Sequence, residues 1–256
     1  MRSIVSLVFV GVCLSALAQD KPKEKAKDVP PRITVVVPMG ADVGKTTKLL
    51  LRGFAADDIT EVRFQEPRTT GKVVGKGKKV GAPDKMKPMT VGDSEIEIEV
   101  TLPKEVTSAV LPFTVVGPGG ESLPGSLLVN DPDLPRLAEK EPNEGFKSAM
   151  PVPMPVCIEG KIERAQDVDV FRVECQKGQT IVVDLQSARY GSPLEGMLAL
   201  HDATGRILAT GARRANRTDP IIEYTATEGG PLLISLIDAA DRGGSMFVYR
   251  LIVRAK

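Results

Sequence analysis

The stretch Glu95-Ile96-Glu97-Ile98-Glu99-Val100 alternates acidic and β-branched residues without a break. Successive side chains of a β-strand point to opposite faces, so the pattern predicts a strand with a buried Ile/Val face and a solvated Glu face. Similar short apolar runs, separated by Gly and Pro, recur along residues 33–254. The 24 glycines and 20 prolines among the 256 residues suit a turn-rich chain. We therefore expect an all-β protein without a long helix.

The predicted strands fall into two groups, and a Pro-rich segment separates them. Pro132 and Pro135 lie in that segment and interrupt both helices and strand ladders. We expect a sandwich over residues 33–130, a linker over 131–138 and a second sandwich or jelly roll over 139–256. The first group of predicted strands is 33–37, 46–52, 61–65, 95–101, 113–116 and 126–130. The second group is 156–162, 169–175, 180–185, 197–201, 206–209, 221–226, 232–237 and 247–254.

The core of the second sandwich is predicted from the apolar positions that recur with a period of two along its strands. The predicted core residues are Phe171, Val173, Ile181, Val183, Leu198, Leu200, Leu233, Tyr249 and Leu251.

The N-terminus has the features of a secretory signal peptide over residues 1–18. Arg2 precedes an apolar run at 4–17, and Ala16-Leu17-Ala18 is a small-x-small cleavage site. Cys13 raises the alternative of lipidation, but its preceding residues match a lipobox poorly. Residues 19–32 are rich in Lys and Pro, which predicts a disordered tether. No other apolar run approaches about 20 residues, so we expect no membrane span and a secreted or periplasmic, cell-envelope location.

The charge balance and the single histidine limit the classes of function. The 34 basic and 33 acidic residues give no global reason to bind nucleic acid. His201 is the only histidine, which excludes a His-pair metal site and leaves one candidate for a His-based triad. Since the sequence contains no Gly-x-Ser-x-Gly motif, we expect a structural histidine at a strand end and no enzyme activity.

The segment Gly40-Ala41-Asp42-Val43-Gly44-Lys45-Thr46-Thr47 looks like a phosphate-binding loop. That motif requires four residues between its first Gly and its Gly-Lys-Thr. The position that should hold the first Gly is Met39, and Gly40 leaves only three intervening residues. A phosphate-binding loop also opens a helix, whereas residues 48–52 have the length of a strand and end at Gly53. We therefore predict a hairpin loop between two strands.

The basic segment 63–87 leaves two interpretations open. It contains eight basic residues against Glu66 and Asp84, and several glycines divide it. One interpretation is a patch for an anionic polymer. The other is a solvated hairpin loop, which is favoured because Phe64 is the only aromatic residue in the segment.

The pairing of Cys157 with Cys175 also stays open. An oxidising compartment permits a disulfide, and the two cysteines lie symmetrically about Gln166, as in a hairpin. However, Cys157 shares a strand face with Glu159 and Lys161, whereas Cys175 lies on an apolar face. A disulfide would therefore require a bulge.

Residues 139–254 resemble the bacterial pre-peptidase C-terminal domain. The matching pieces are EKEPNEGFKSA, GKIERAQDVDVFRVECQKGQ, SARYGSPLEGMLALHDATGRILA and DAADRGGSMFVYRLIV. The third piece is similar to the version found in secreted planctomycete-type proteins. Residues 33–130 are similar to an immunoglobulin-like IPT/TIG domain, through VVVPMGADVGKTTKLLLRGF, ITEVRF and FTVVGPGGESLPGSLLV. The resemblance implies an Ig-like β-sandwich followed by a jelly-roll-like β-sandwich without catalysis.

The same resemblance implies a calcium site, because calcium-binding relatives take ligands from the matching E-x-E-P-N-D segment and from an Asp-rich turn. Calcium prefers six to eight oxygen ligands, several of them carboxylates. The alternative is that the acids belong to a solvated linker, and that Asp169 caps backbone N–H groups of a turn. Glu144 stands where the relatives carry Asp. The candidate ligands are Glu139, Glu141, Asn143, Glu144, Asp167 and Asp169.

Three functions are compatible with these sequence features. The favoured one is a secreted, non-catalytic binding or adhesion module that acts at the cell surface on an extracellular protein or polysaccharide. The second is a structural spacer or folding accessory of an exported partner. A hydrolase is the least favoured, because one histidine and no nucleophile motif offer little for acid–base catalysis.

Overall fold

The computed structural model describes residues 29–82, 86, 88–212 and 218–256. The predicted signal peptide and residues 19–28 of the predicted tether lie outside the described residues. Within those residues, helical structure is limited to one turn, α1 (Pro88–Val91), and two 3₁₀ turns. The described part also contains no helix of the length and apolarity needed to cross a membrane.

The described chain forms β-strands throughout its length. The first ten are β1 (Arg32–Val37), β2 (Gly40–Asp42), β3 (Thr46–Phe54), β4 (Glu61–Phe64), β5 (Thr70–Val73), β6 (Lys78–Lys79), β7 (Ser94–Thr101), β8 (Val110–Gly117), β9 (Gly120–Glu121) and β10 (Gly125–Asn130). The others are β11 (Arg136–Ala138), β12 (Met150–Pro151), β13 (Val156–Lys161), β14 (Asp169–Cys175), β15 (Thr180–Gln186), β16 (Gly196–His201), β17 (Ile207–Thr210), β18 (Ile221–Thr225), β19 (Gly230–Asp238) and β20 (Val248–Ala255).

These strands build two successive sandwiches of two sheets each. The N-terminal sandwich packs a β1-β3-β7-β5 sheet, with β6 also paired to β7, against a β2-β10-β8-β4 sheet, with β9 paired to β8. The C-terminal sandwich packs a β11-β13-β20-β15-β18 sheet against a β12-β14-β19-β16-β17 sheet. The protein is all-β, an Ig-like sandwich followed by a jelly-roll-like sandwich, as the sequence predicts.

The predicted strands all have counterparts, and the strands that were not predicted are short. Those additional strands are β2, β5, β6, β9, β11 and β12, of two to four residues each. Three of them, β2, β11 and β12, pair in parallel with other strands. β11 lies within the predicted linker and pairs with β13, so this part of the segment is a sheet edge.

The alternating stretch at residues 95–100 forms most of β7. Ile96, Ile98 and Val100 are buried in the core of the N-terminal sandwich. The prediction of a fully solvated Glu face is wrong at Glu95, which is buried against the guanidinium of Arg52. A buried carboxylate needs such a partner to stay charged.

The predicted core of the C-terminal sandwich is confirmed except at one position. Leu232, Ile234 and Leu236 of β19 pack in the core cluster, so Leu233 points to the opposite face, where it is also buried. The run Leu232-Leu233-Ile234 is apolar on both faces, and alternation therefore cannot show which face is inside.

The segment that looks like a phosphate-binding loop is a turn between strands. Gly44 adopts a left-handed φ of 69° between β2 and β3. β2 and β3 belong to opposite sheets of the N-terminal sandwich, so this turn crosses between the sheets, and the prediction of a hairpin is wrong. No helix begins there, and the phosphate-binding interpretation fails for that reason.

The two sandwiches contact one another through an apolar cluster and through polar contacts of Arg136. Val35, Met39 and Leu128 of the first sandwich pack with Met246 and Val248 of the second. Beside this cluster, the Arg136 guanidinium donates a hydrogen bond to the Asp42 carboxylate and lies 3.5 Å from Glu159. Arg136 therefore connects β2 of one sandwich to β13 of the other.

Candidate metal centre and the adjoining cleft

Three carboxylates converge where β11 and β14 begin the C-terminal sandwich. One oxygen each of Glu139, Glu141 and Asp169 lies within 4.8 Å of the others. Glu139 directly follows β11, and Asp169 is the first residue of β14, with no exposed surface. Glu141 is exposed, so the group has a buried end and an open end. We call Glu139, Glu141 and Asp169 the acid group.

The hydroxyl of Tyr249 bridges two members of the acid group. It lies 2.9 Å from Glu139 Oε1 and 2.7 Å from Asp169 Oδ2. A phenol carries one proton and can donate it to only one carboxylate at a time. When all three carboxylates are ionised, one of the two that contact Tyr249 therefore receives no proton from it. That carboxylate needs a further proton or a positive charge.

Asn143 holds the connecting segment in place and leaves one oxygen without a partner. Its backbone N–H donates to Glu141 Oε2 at 3.0 Å, and its Nδ2 donates to Glu139 Oε1 at 2.9 Å. Its backbone carbonyl accepts a hydrogen bond from the N–H of Val170 in β14. The Asn143 side chain is fully buried, yet its Oδ1 has no hydrogen-bond partner.

Two aspartates, Asp167 in the turn before β14 and Asp169 at the start of β14, repeat this shortage. Asp167 is 2% exposed, and only its Oδ2 accepts a hydrogen bond, from the Glu163 N–H. Among the described residues, Asp167 Oδ1 is buried without a partner. Asp169 Oδ1 lacks one while its carboxylate is ionised, and a proton on Asp169 would be shared with Glu139. A buried polar atom without a partner is costly, typically by about 1–3 kcal/mol. Three such oxygens near one acid group call for a ligand.

The pKa shifts within the group also indicate a shortage of positive charge. Burial and the neighbouring Glu139 carboxylate raise the pKa of Asp169 to about 10. Burial, together with the charges of Asp167, Glu139 and Glu144, raises the pKa of Glu141. Burial and the charges of Asp169 and Glu139 raise the pKa of Tyr249 well above its ordinary value. The site resists accumulating negative charge unless a cation is present.

Gly160 allows the strands to approach closely enough to form the site. A Cβ at Gly160 would lie 2.5 Å from both Glu139 Oε2 and the Tyr249 hydroxyl oxygen. The next residue, Lys161, donates its backbone N–H to Glu139 Oε2 at 2.9 Å. The roles of Gly160 and Tyr249 were not predicted from the sequence, since neither residue belongs to an acidic motif.

The structure separates the six predicted ligands into three classes. Glu139, Glu141 and Asp169 form the acid group, and Asn143 and Asp167 surround it with unpartnered oxygens. Glu144 does not join them, because its carboxylate is paired with Arg164 at 2.9 Å near the surface.

The donor set fits a hard divalent cation. Carboxylate and amide oxygens are the ligands that calcium prefers, and a cation would also provide the missing partner for the buried oxygens. Glu139, Glu141, Asp169, Asn143 and Asp167 are the residues that would hold it. Such an ion would supply charge neutralisation here and would hold the segment after β11 against β14.

A cleft adjoins the acid group at the junction of the two sandwiches. Its volume is about 420 Å³, within the range of ligand pockets. One wall is apolar and comes from both sandwiches, through Val37, Pro38, Met39 and Val248. Two members of the acid group, Glu139 and Glu141, line the other end of the cleft together with Tyr249.

His201 occupies a different part of the C-terminal sandwich. Its Nδ1 lies 3.3 Å from the Gly205 carbonyl, which can only accept, so Nδ1 carries the proton. Its Nε2 therefore accepts from the hydroxyl of Ser235 at 3.0 Å. In a hydrolase triad, a carboxylate occupies the position that the Gly205 carbonyl takes here. Phe146 packs against the imidazole with ring centroids 4.8 Å apart.

The two cysteines are buried and unpaired. β13, which carries Cys157, and β14, which carries Cys175, belong to opposite sheets, so the hairpin considered from the sequence does not form. Arg250 Nε donates to Cys157 Sγ at 3.3 Å, and burial raises the pKa of both thiols.

Acidic neighbours neutralise several side chains of the basic segment 63–87. Arg63 pairs with Glu61 at 2.7 Å, Lys78 with Glu95 at 2.9 Å, and Lys79 with Asp57 at 2.9 Å. Residues 83–85 and 87 of the segment lie outside the described residues. Within the described portion, β5 and β6 pair with β7, so the segment is partly strand and not a single solvated loop. The ion pairs argue against an open basic patch.

The sequence matches no protein-family model and no curated protein. Solved structures with some similarity include the pre-peptidase C-terminal domain of collagenase from Bacillus anthracis, at 17% identity and a TM-score of 0.35. That alignment covers 45% of this chain and 100% of the collagenase domain.

Two further solved structures are similar at the same low level. PliG, a periplasmic inhibitor of g-type lysozyme from Aeromonas hydrophila, has 15% identity and a TM-score of 0.33, with 42% of this chain and 97% of PliG covered. SGBP-B from a Bacteroides ovatus glucan utilization locus has 10% identity and a TM-score of 0.28, with 88% and 74% covered. Similarity of this degree does not assign the chain to a family.

Proposed function

We propose that the protein is a secreted or cell-envelope binding module without catalytic activity, and that a calcium ion at the acid group stabilises it. The observation that carries the proposal is the set of buried oxygens of Asn143, Asp167 and Asp169 that lack a partner beside three converging carboxylates. The expected partner is an extracellular protein or polysaccharide. The sequence resemblance to the pre-peptidase C-terminal domain supports this proposal.

The calcium part is tested by thermal unfolding and calorimetric titration of the protein in EDTA, calcium or magnesium. Saturating calcium, at a hundred times its Kd, stabilises a folded state by about 2.7 kcal/mol. Magnesium should stabilise less, because it demands a tighter octahedral shell. Calcium should also protect residues 134–144 from proteolysis. Identical melting and proteolysis in EDTA and calcium would refute the site.

A matched pair of variants separates the site from general charge effects. Glu141→Gln removes a member of the acid group, and Glu144→Gln removes an equal charge three residues away that pairs with Arg164. We expect Glu141→Gln to weaken calcium binding at least tenfold and Glu144→Gln to change it less than twofold. Equal effects of the two variants would show that calcium responds only to net charge.

The contact between the sandwiches favours a second candidate function, a structural spacer. The apolar cluster around Met39 and Val248, together with the Arg136–Asp42 hydrogen bond, holds the two sandwiches against one another. A spacer predicts that the protein binds no ligand in the cleft, whereas the binding module predicts saturable binding there.

A further inference from the structure

The cleft between the sandwiches has an apolar wall and an acidic end, a combination that the calcium proposal does not use. Val37 and Pro38 of the first sandwich and Val248 of the second line its apolar part. Glu139 and Glu141 line the acidic end. A ligand that fits both features has an aliphatic stem and a cationic head.

The charges inside the cleft show which acids are available to such a ligand. The Glu159 carboxylate lies 3.5 Å from Arg136 and 3.8 Å from Arg250. Glu163 pairs with Lys161 at 2.9 Å. Within the described part of the chain, Glu139 and Glu141 form no ion pair with Lys or Arg. Lys161 and Arg164 act on these two carboxylates only at longer range, and the four glutamates of the lining outnumber its two basic residues, Lys161 and Arg250, so the cleft carries a net negative charge.

We propose that this cleft binds a lysine side chain of an extracellular protein partner. The aliphatic stem lies against the wall of Val37, Pro38 and Val248, and the ammonium group contacts Glu139 and Glu141. The inference rests on the proposed binding function and names the class of partner.

The chemistry of lysine matches the site better than that of arginine. An ammonium is a compact charge with three donors that point in different directions, and its stem packs readily on apolar surface. Arginine prefers two coplanar oxygens of one carboxylate. Here the acceptors belong to two different side chains, and Glu139 already accepts hydrogen bonds from Asn143, Lys161 and Tyr249.

Calcium and the ammonium draw on the same two carboxylates. Each should therefore weaken the binding of the other by the same factor, since coupling between two binding equilibria is reciprocal. Lysine binding is expected to be strongest in EDTA, so its test does not depend on the outcome of the calcium test.

The test follows the backbone amide signals of ¹⁵N-labelled protein in EDTA during titration with Nα-acetyl-lysine methylamide. We expect saturable shifts of the amides that line the cleft, among them Val37, Gly160 and Lys161. The Nε-acetylated probe, which lacks the charge, should bind at least tenfold more weakly. The arginine probe should bind at least threefold more weakly. Millimolar calcium should reduce the affinity for the lysine probe.

Two variants complete the experiment. Glu141→Gln should weaken binding of the lysine probe at least fivefold, while Glu144→Gln, outside the cleft, should leave it unchanged. The proposal is overturned by the absence of saturable shifts, by equal binding of the acetylated probe, or by an unaltered affinity in Glu141→Gln. Binding of the probe without any stabilisation by calcium would support the lysine proposal and refute the calcium site. Stabilisation by calcium without binding of the probe would support the calcium site and refute the lysine proposal.

Discussion

Two buried aspartates of the C-terminal sandwich, Asp169 and Asp238, occupy opposite electrostatic environments. Asp238 accepts hydrogen bonds from the backbone N–H groups of Glu195, Ala240 and Arg242 and from the Arg242 guanidinium. Burial disfavours its charge, but these donors outweigh burial and lower its pKa. Asp169 accepts from Tyr249 and otherwise faces carboxylates, and its pKa is raised.

This contrast shows how a structural acid can be separated from a candidate binding site. Burial and residue type are the same at both positions, so neither identifies function. The deciding quantity is the balance between donors and carboxylate oxygens. Asp238 has enough donors within its own turn, whereas the surroundings of Asp169 leave oxygens unpartnered and need a cation or a proton.

The largest effect is expected at Asp238, whose carboxylate has enough hydrogen-bond donors. Asp238→Ala leaves the partly buried Arg242 guanidinium and several backbone N–H groups without their acceptor, which should lower the free energy of unfolding by about 3 kcal/mol. Urea denaturation in EDTA and in calcium measures this loss, which should be equal in the two conditions. A loss below about 1 kcal/mol would mean that water replaces the carboxylate at little cost.

Asp169→Asn should have the opposite sign when calcium is absent. At neutral pH the raised pKa keeps a proton on the buried Asp169 carboxyl. The substitution replaces that carboxyl with a neutral amide of the same shape, so the folded state no longer has to take up a proton. We expect a gain of about 2 kcal/mol in the free energy of unfolding in EDTA. The same variant should lose the response to calcium. Destabilisation of this variant in EDTA would show that the Asp169 carboxylate, like that of Asp238, has enough hydrogen-bond donors and a structural role.

Gly160→Ala tests whether close approach of the strands creates the acid group. The added Cβ lies 2.5 Å from Glu139 Oε2 and the Tyr249 hydroxyl oxygen, so these groups must move. Overpacking of this kind costs about 1–2 kcal/mol, and calcium affinity should fall at the same time. Gly178→Ala provides a contrast, because no atom lies within 4 Å of its Cβ position, although its φ of 79° adds backbone strain. That variant should leave calcium affinity unchanged.

Measured over a single pH unit, the smallest effect is a pair of opposite pH dependences. The folded pKa of Asp169 lies above its ordinary value of 3.8, so the folded state holds the proton more tightly than the unfolded state. In EDTA, stability should therefore fall as pH rises from about 4 towards 10, by up to about 1.4 kcal/mol per pH unit for one proton. Asp238, whose pKa is lowered, stabilises above 3.8 and loses that contribution as the pH falls through its folded pKa.

Unfolding free energies of the wild type and Asp169→Asn at several pH values isolate the first of these slopes. Calcium should flatten the wild-type curve, because an ion takes the place of the proton. A wild-type curve that is flat in EDTA between pH 5 and 9 would contradict the raised pKa and the shortage of donors behind it.

The fold and half of the site could be predicted from local sequence patterns. Alternation in β7 and β14 sets which residues are buried, because a strand has only two faces. The acids at 139, 141 and 169 are recognisable as candidate ligands through the resemblance of residues 139–254 to the pre-peptidase C-terminal domain. Alternation does not decide between two apolar faces, as Leu233 shows, and it misses two-residue strands that depend on a distant partner.

The two-sandwich organisation, most strand positions and a pool of candidate ligands follow from the amino-acid sequence alone. The tertiary structure was needed to separate Glu141 from Glu144, to add Tyr249 and Gly160, and to form a cleft from Val37 and Val248 of different sandwiches. The physical reason is range. Strand formation depends on neighbours a few residues apart, whereas Tyr249 meets Asp169 across 80 residues of chain, and Arg136 meets Asp42 across 94. Which carboxylates receive donors and which are left to bind a cation depends on those long-range contacts.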